Sequence, residues 1–158
     1  MSKGAVHHHF PDKRSIFDEV FRESQRAVMA QVAEAASAEG ASPWALAESS
    51  ARAFLRSFET DADKRPLLRQ SAGVLGAERC RRIDEALALP QMRFLLELLD
   101  ERGEPQPADL DAAATVIFRM LCEAATSVAF ARAPGKAARE AGQVVIHLLS
   151  GLRRPAGS

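Results

Sequence analysis

Helical periodicity runs through this chain almost without a competing signal, and that limits the folds open to it more than anything else. Ala, Leu, Arg and Glu dominate, runs of β-branched residues are nearly absent, and apolar residues recur at three- and four-residue intervals. The fold class predicted is all-α. Glycines and prolines cut the pattern into helices. Residues 12–38 form a long first helix with Ile16, Phe17, Val20, Phe21, Val28 and Val32 on one stripe and Gly40 as its stop. Ser42-Pro43-Trp44 caps and opens the next, which turns Trp44, Leu46, Ala47, Ala51, Phe54, Leu55 and Phe58 inward. A short helix over 64–71 follows, then Gly73 and Gly76 bracket Val74 and Leu75. A helix over 78–89 should end at Pro90, and 91–102 is amphipathic through Met92, Leu95, Leu96 and Leu99. Residues 103–107 are the clearest loop, and two apolar helices over 108–131 and 136–152 close the chain.

At 158 residues the chain can bury the core of one ordinary domain. With 21 basic and 21 acidic residues, no bulk charge announces a nucleic-acid or acidic-substrate surface, so any affinity for DNA has to be local. Cys80 and Cys122 sit in helical patterns, which reads as buried thiols of a reducing compartment. No membrane-spanning run and no signal-peptide core is evident, and the expectation is a soluble cytoplasmic protein. Neither a nucleophile–base arrangement nor a phosphate loop nor zinc spacing occurs, so no enzyme, cofactor or metal site is expected. Asp109 and Asp111 stand at a helix start, where acids cap and suit the dipole. Arg79, Arg81 and Arg82 read as a solvated helix face, with an anionic ligand or a neighbouring helix as the other use.

The last two helices are apolar over an unusual width. Val116, Ile117, Met120, Leu121, Ala124, Ala125 and Val128 mark the first, and Ala138, Ala141, Val145, Leu148, Leu149 and Leu152 the second. Small residues allow close helix approach and large ones fill the gaps. Faces this wide also suggest cover by a second copy.

The N-terminus is distinct. Ser2 suits an N-cap, residues 3–9 make one or two helical turns, and Pro11 and Asp12 stop that helix and start another. A capped helix start with Lys3 suits a phosphate, and the residues behind it could face a groove. His7, His8 and His9 point about 100° apart on a helix and cannot all face one metal ion. The run Ser2-Lys3-Gly4-Ala5-Val6-His7-His8-His9-Phe10-Pro11-Asp12-Lys13, followed by Ile16 and Phe17, resembles the end of the helix-turn-helix in TetR-type (tetracycline-repressor-like) transcriptional regulators. That family usually reads Ser-Lys/Arg-Gly-Ala-Leu-Tyr-His-His-Phe there. The chain departs at His7, where the family most often has a tyrosine on a DNA phosphate, although histidine can still donate to one. Residues 69–76 and the Ala-rich closing helices also resemble the family's ligand-binding and dimerisation domain.

The resemblance implies a remnant of the DNA-binding domain over 1–11 and an effector-binding and dimerisation domain over 12–154. Ser2, Lys3, Gly4, Ala5, His7, His8 and Lys13 would be its DNA contacts. In the family the helices that support this element precede it, and here only Met1 does, so the chain as written is expected to bind DNA poorly. Met1 is then read as an internal valine whose GTG codon passes for an initiator. The other reading is a headless dimerising module that binds a ligand or sequesters a partner. The resemblance further implies a homodimer, with Met120, Leu121, Ala124, Ala125, Val128, Val145, Leu148, Leu149 and Leu152 at its interface. It implies a small apolar or amphipathic effector too, in a pocket assigned to Trp44, Phe54, Phe58, Leu75, Phe94 and Phe118, with Arg69, Gln70 and His147 to orient it. Repression is the family's usual mode.

Overall fold

A computed structural model describes residues 10–37, 40–101 and 109–152. Ser2, Lys3, Gly4, Ala5, His7 and His8 lie outside the described residues; Lys13 is exposed at the start of the first helix. The described residues form six helices and no strand: α1 (Lys13–Ala35), α2 (Pro43–Thr60), α3 (Lys64–Leu75), α4 (Ala77–Glu101), α5 (Leu110–Phe130) and α6 (Pro134–Ser150).

Local chemistry sets most of the boundaries. Asp12 caps α1, its Oδ1 accepting from the Ser15 amide at 2.7 Å and the Ser15 hydroxyl at 2.8 Å. Ser42 accepts from the Ala45 amide ahead of Pro43, and Asp109 accepts from the Ala112 amide. Gly76, at φ 86, ends α3 in a backbone region that L side chains rarely adopt, and its amide bonds the Ala72 carbonyl.

Pro90 does not end a helix: α4 runs through it to Glu101. Pro90 and Ala86, whose carbonyl loses its intrahelical donor, are both exposed, so water can fill that place. Burial of Ala88 on one side and Leu95, Leu96 and Leu99 on the other offsets the cost of the interior proline. The short helix predicted over 64–71 likewise extends to Leu75.

At the centre of the bundle, α2 packs on α1, α5 and α6. Its Phe54, Leu55 and Phe58 join Val28, Leu96, Phe118, Leu121, Val128 and Val145 in the main core. Buried Gly142 of α6 faces Leu55 of α2, where an added Cβ would make an ordinary contact at 3.8 Å with Leu55 Cδ1. A smaller cluster of Phe21, Leu75, Cys80 and Ile83 joins α1, α3 and α4. The same corner is tied by Arg79, which donates to both Asp18 oxygens at 2.6 and 2.9 Å, and by Arg14, which donates to the Leu75 carbonyl at 2.7 Å.

Despite the sequence reading, α5 is long and apolar enough to cross a membrane by length and composition. Its place is inside the bundle. Ile117, Phe118, Leu121, Ala125, Val128 and Ala129 are buried among α2, α3, α4 and α6, and Arg119 and Glu123 interrupt its opposite side.

Candidate ligand-binding site

Two cavities meet at the Phe54–Phe118 pair, whose rings stand edge to face with centroids 6.3 Å apart. The first, of about 60 Å³, is almost wholly apolar: Val32, Trp44, Met92, Leu95 and Leu121 line it, with Ser50 and Gln91 as polar edges. The Ser50 hydroxyl is buried with no hydrogen-bond partner among the described residues.

The second cavity, of about 280 Å³, lies among α1, α2, α3, α4 and α5. Phe54, Phe58, Leu68, Leu87 and Phe118 give it an apolar wall, and Gln25, Cys80, Asp84, Arg119, Cys122 and Thr126 a polar one. Exposed Arg69, Ala72, Ala77 and Phe130 stand on its border, so the cavity reaches the surface on that side. Met29, Phe54, Ala88 and Phe118 border both cavities and separate them.

Asp84 is the outstanding group. Its Oδ1 is buried and unpartnered among the described residues, and burial pushes the carboxyl up to about 7 against the opposing pull of Arg119. Arg119 bonds elsewhere: it donates to Glu85 at 2.6 Å, and Arg81 reaches the same Glu85 at 3.1 Å. Burial also pushes Cys122 up to about 12 and raises Cys80, which leaves both as protonated, inert thiols.

The residues singled out in the sequence are scattered. Trp44 borders the apolar cavity, Phe58 and Arg69 the polar one, and Phe54 and Phe118 both. Leu75 is buried in the α1–α3–α4 cluster, beside neither cavity. Gln70 and His147 are exposed and Phe94 is 57% exposed, and none of these three borders either of the two cavities. Arg69 donates to the Ala129 carbonyl at 3.2 Å. Asp84, Gln25 and Met29 were not singled out. Asp84 had a legible signal: it shares a helical stripe with Cys80, Ile83 and Leu87, a lone acid on an inward face.

The basic run divides its work between helices. Arg79 holds Asp18 across to α1, Arg81 pairs with Glu78 and Glu85, and Arg82 lies 3.9 Å from Glu78. Asp109 caps α5, and Asp111 in its first turn meets Arg93 at 2.5 Å.

On the closing helices, Leu121, Ala125, Val128, Val145 and Leu149 are interior residues of the main core. Met120, Ala124 and Leu152 are half-buried, and Leu148 is exposed. The outward apolar groups are instead Val116 at 69% exposure, Phe130 at 63%, Val144 at 59% and Leu148 at 54%. On α5, Val116, Ser127 and Phe130 sit on a flank about 100° or more around the helix from Ile117, Leu121 and Val128, with half-buried Met120 at its edge.

A model of the tetracyclin repressor-like C-terminal domain family matches residues 44–152. The solved structure of a TetR-family transcriptional regulator from Pectobacterium atrosepticum is similar, with a TM-score of 0.76 at 24% identity, covering 99% of this chain and 80% of that one. At that identity the likeness concerns the fold. A search of curated protein sequences gives no match. The family match spans five of the six helices and every cavity wall except those from α1, and by that match the chain belongs to the tetracycline-repressor-like family of transcriptional regulators.

Proposed function

We propose that this chain is the effector-binding and dimerising body of a cytoplasmic regulator, most simply a repressor, whose two cavities receive a small amphipathic molecule. The observation that carries this reading is where α1 stands. Its N-terminal end adjoins the segment that resembles a DNA-reading helix, and its Gln25, Met29 and Val32 border the cavities. From Lys13 to Met29 the helix spans about 24 Å at ~1.5 Å per residue. A ligand that favours one position of Met29 biases the position of the far end by its differential affinity for the two states.

Dimerisation in this reading uses the exposed Val116 and Phe130 of α5 and Val144 and Leu148 of α6, with half-buried Met120, Ala124 and Ala141 beside them. An apolar row of this extent on adjoining helices suits a twofold four-helix contact. Leu148→Glu should give a folded monomer by sedimentation velocity, with helix content unchanged. A variant that stays dimeric places the interface elsewhere.

Operator binding belongs, in this proposal, to a complete helix-turn-helix, of which residues 1–11 supply the reading element and residues 12–154 the regulatory body. The test is a mobility-shift titration on DNA upstream of the gene. Residues 1–158 alone should bind weakly and without sequence preference. A version carrying a family-type first pair of helices ahead of Ser2 should bind specifically and release on effector addition. Absence of any sequence preference in that version would contradict the regulatory reading.

A further inference from the structure

Resting on the reading of the cavities as an effector site, we propose that the larger cavity recognises the ammonium group of a small lipophilic amine, with Asp84 Oδ1 as its acceptor and the hydrocarbon directed past Phe54 and Phe118 toward the apolar cavity.

Three observations support this. First, the guanidinium groups at the cavity are already engaged by carboxylate or carbonyl oxygens, whereas an acid inside it is not. Glu85 accepts from Arg81 and Arg119, and Glu78 pairs with Arg81 as well, so these two guanidinium groups do not await an anion. Arg69 is exposed at the border and already donates to the Ala129 carbonyl. Asp84 presents a buried carboxyl oxygen that has no donor among the described residues. A buried acceptor left unmade is costly, and a charge-assisted partner is the strongest way to satisfy it.

Second, the wall facing the polar one is apolar and suits hydrocarbon. Phe54, Phe58, Leu68 and Phe118 face the space, and the cavity beyond the aromatic pair is apolar apart from Ser50 and Gln91. Third, the size is that of a small molecule. A volume of 280 Å³ corresponds to about nine water-sized groups at roughly 30 Å³ each. Met29 is unbranched and adaptable, so the shared wall can yield to a longer tail.

No covalent step is involved. The ammonium N–H donates to Oδ1, and the carboxyl is held as carboxylate. The titratable and charged groups that face Asp84 are Cys80 and Glu85 on its own helix and Arg119 and Cys122 on α5. Both thiols stay neutral below the alkaline range, so Asp84 controls the response of the site between pH 6 and pH 8.

The experiment compares n-octylamine, n-octanol and n-octanoate by isothermal calorimetry on the full chain and on Asp84→Asn, with circular dichroism to confirm the fold. The amine should bind about tenfold or more tightly than the alcohol, a difference that vanishes in Asp84→Asn. In the unaltered protein the amine's advantage should grow as pH rises through about 7, because the carboxylate forms there while a primary amine near 10.4 stays protonated. That pH series answers the question even if Asp84→Asn fails to fold. Equal affinity for amine and alcohol, or tightest binding of octanoate, overturns the amine assignment while leaving the cavity as an effector site. Failure of all three to bind overturns both.

Discussion

The two cavities on either side of the Phe54–Phe118 pair share four wall residues but differ in size and lining. The smaller is almost wholly apolar apart from Ser50 and Gln91, and the larger has a polar wall holding Asp84, whose buried Oδ1 has no partner among the described residues. The apolar side is held by packing, whereas beside the polar side α1 is tied to α4 by an ion pair across helices. A packed wall can be tight because it asks nothing of its neighbours. A buried acid keeps its surroundings incomplete until a partner arrives, which is how a stable bundle can carry a binding site.

The largest change should come from removing the partition. Phe54→Ala leaves the two cavities joined and should cost about 3–5 kcal/mol in urea unfolding, the usual range for a buried phenylalanine. A loss below about 1 kcal/mol would mean that the aromatic pair is not a packed wall.

Asp84→Asn should be next in size, and its sign depends on pH. The folded carboxyl titrates at about 7, above the ordinary 3.8, so between these values the folded state holds a proton that the unfolded chain releases. Stability from this group therefore falls as pH rises from about 4 to about 7 and is level beyond. At pH 8 the asparagine variant should be more stable than the parent by about 2–4 kcal/mol, an advantage absent near pH 4. Chemical denaturation at the two pH values measures it.

The ion pair beside the polar cavity has the opposite sign. Hydrogen bonds from Arg79 hold Asp18 down at about 2, so its contribution is complete above the ordinary 3.8 and is lost as pH falls toward 2. Arg79→Ala should cost about 1 kcal/mol at neutral pH, since the guanidinium is partly solvated, and almost nothing near pH 2. The smallest effect belongs to the apolar side. Ser50→Ala removes a buried hydroxyl without a partner and should stabilise by up to about 1 kcal/mol in the same assay.

How much of this could be read from the sequence varies with what fixes each feature. Helix starts are local chemistry, so Asp12, Ser42 and Asp109 announced them well. Pro90 misled because its cost is local while the burial of Leu95, Leu96 and Leu99 that offsets it is tertiary. The closing helices carry apolar residues well beyond one face, so periodicity alone could not tell the inward row of Leu121, Val128, Val145 and Leu149 from the outward Val116, Val144 and Leu148. Aromatic identity found Trp44, Phe54, Phe58 and Phe118 at the cavities but also picked out Phe94, which faces solvent. Polar identity favoured Gln70 and His147 over Asp84, although the acid alone stood on an inward stripe.

The most direct test of a single effector site across both cavities is a crystal structure of the protein grown with n-octylamine. The account predicts the nitrogen within about 2.7–3.0 Å of Asp84 Oδ1 and the alkyl chain passing between Met29, Phe54 and Phe118 toward Trp44. An amine bound elsewhere, or one seated in the cavity with its nitrogen turned to solvent and Asp84 still unpartnered, would contradict it.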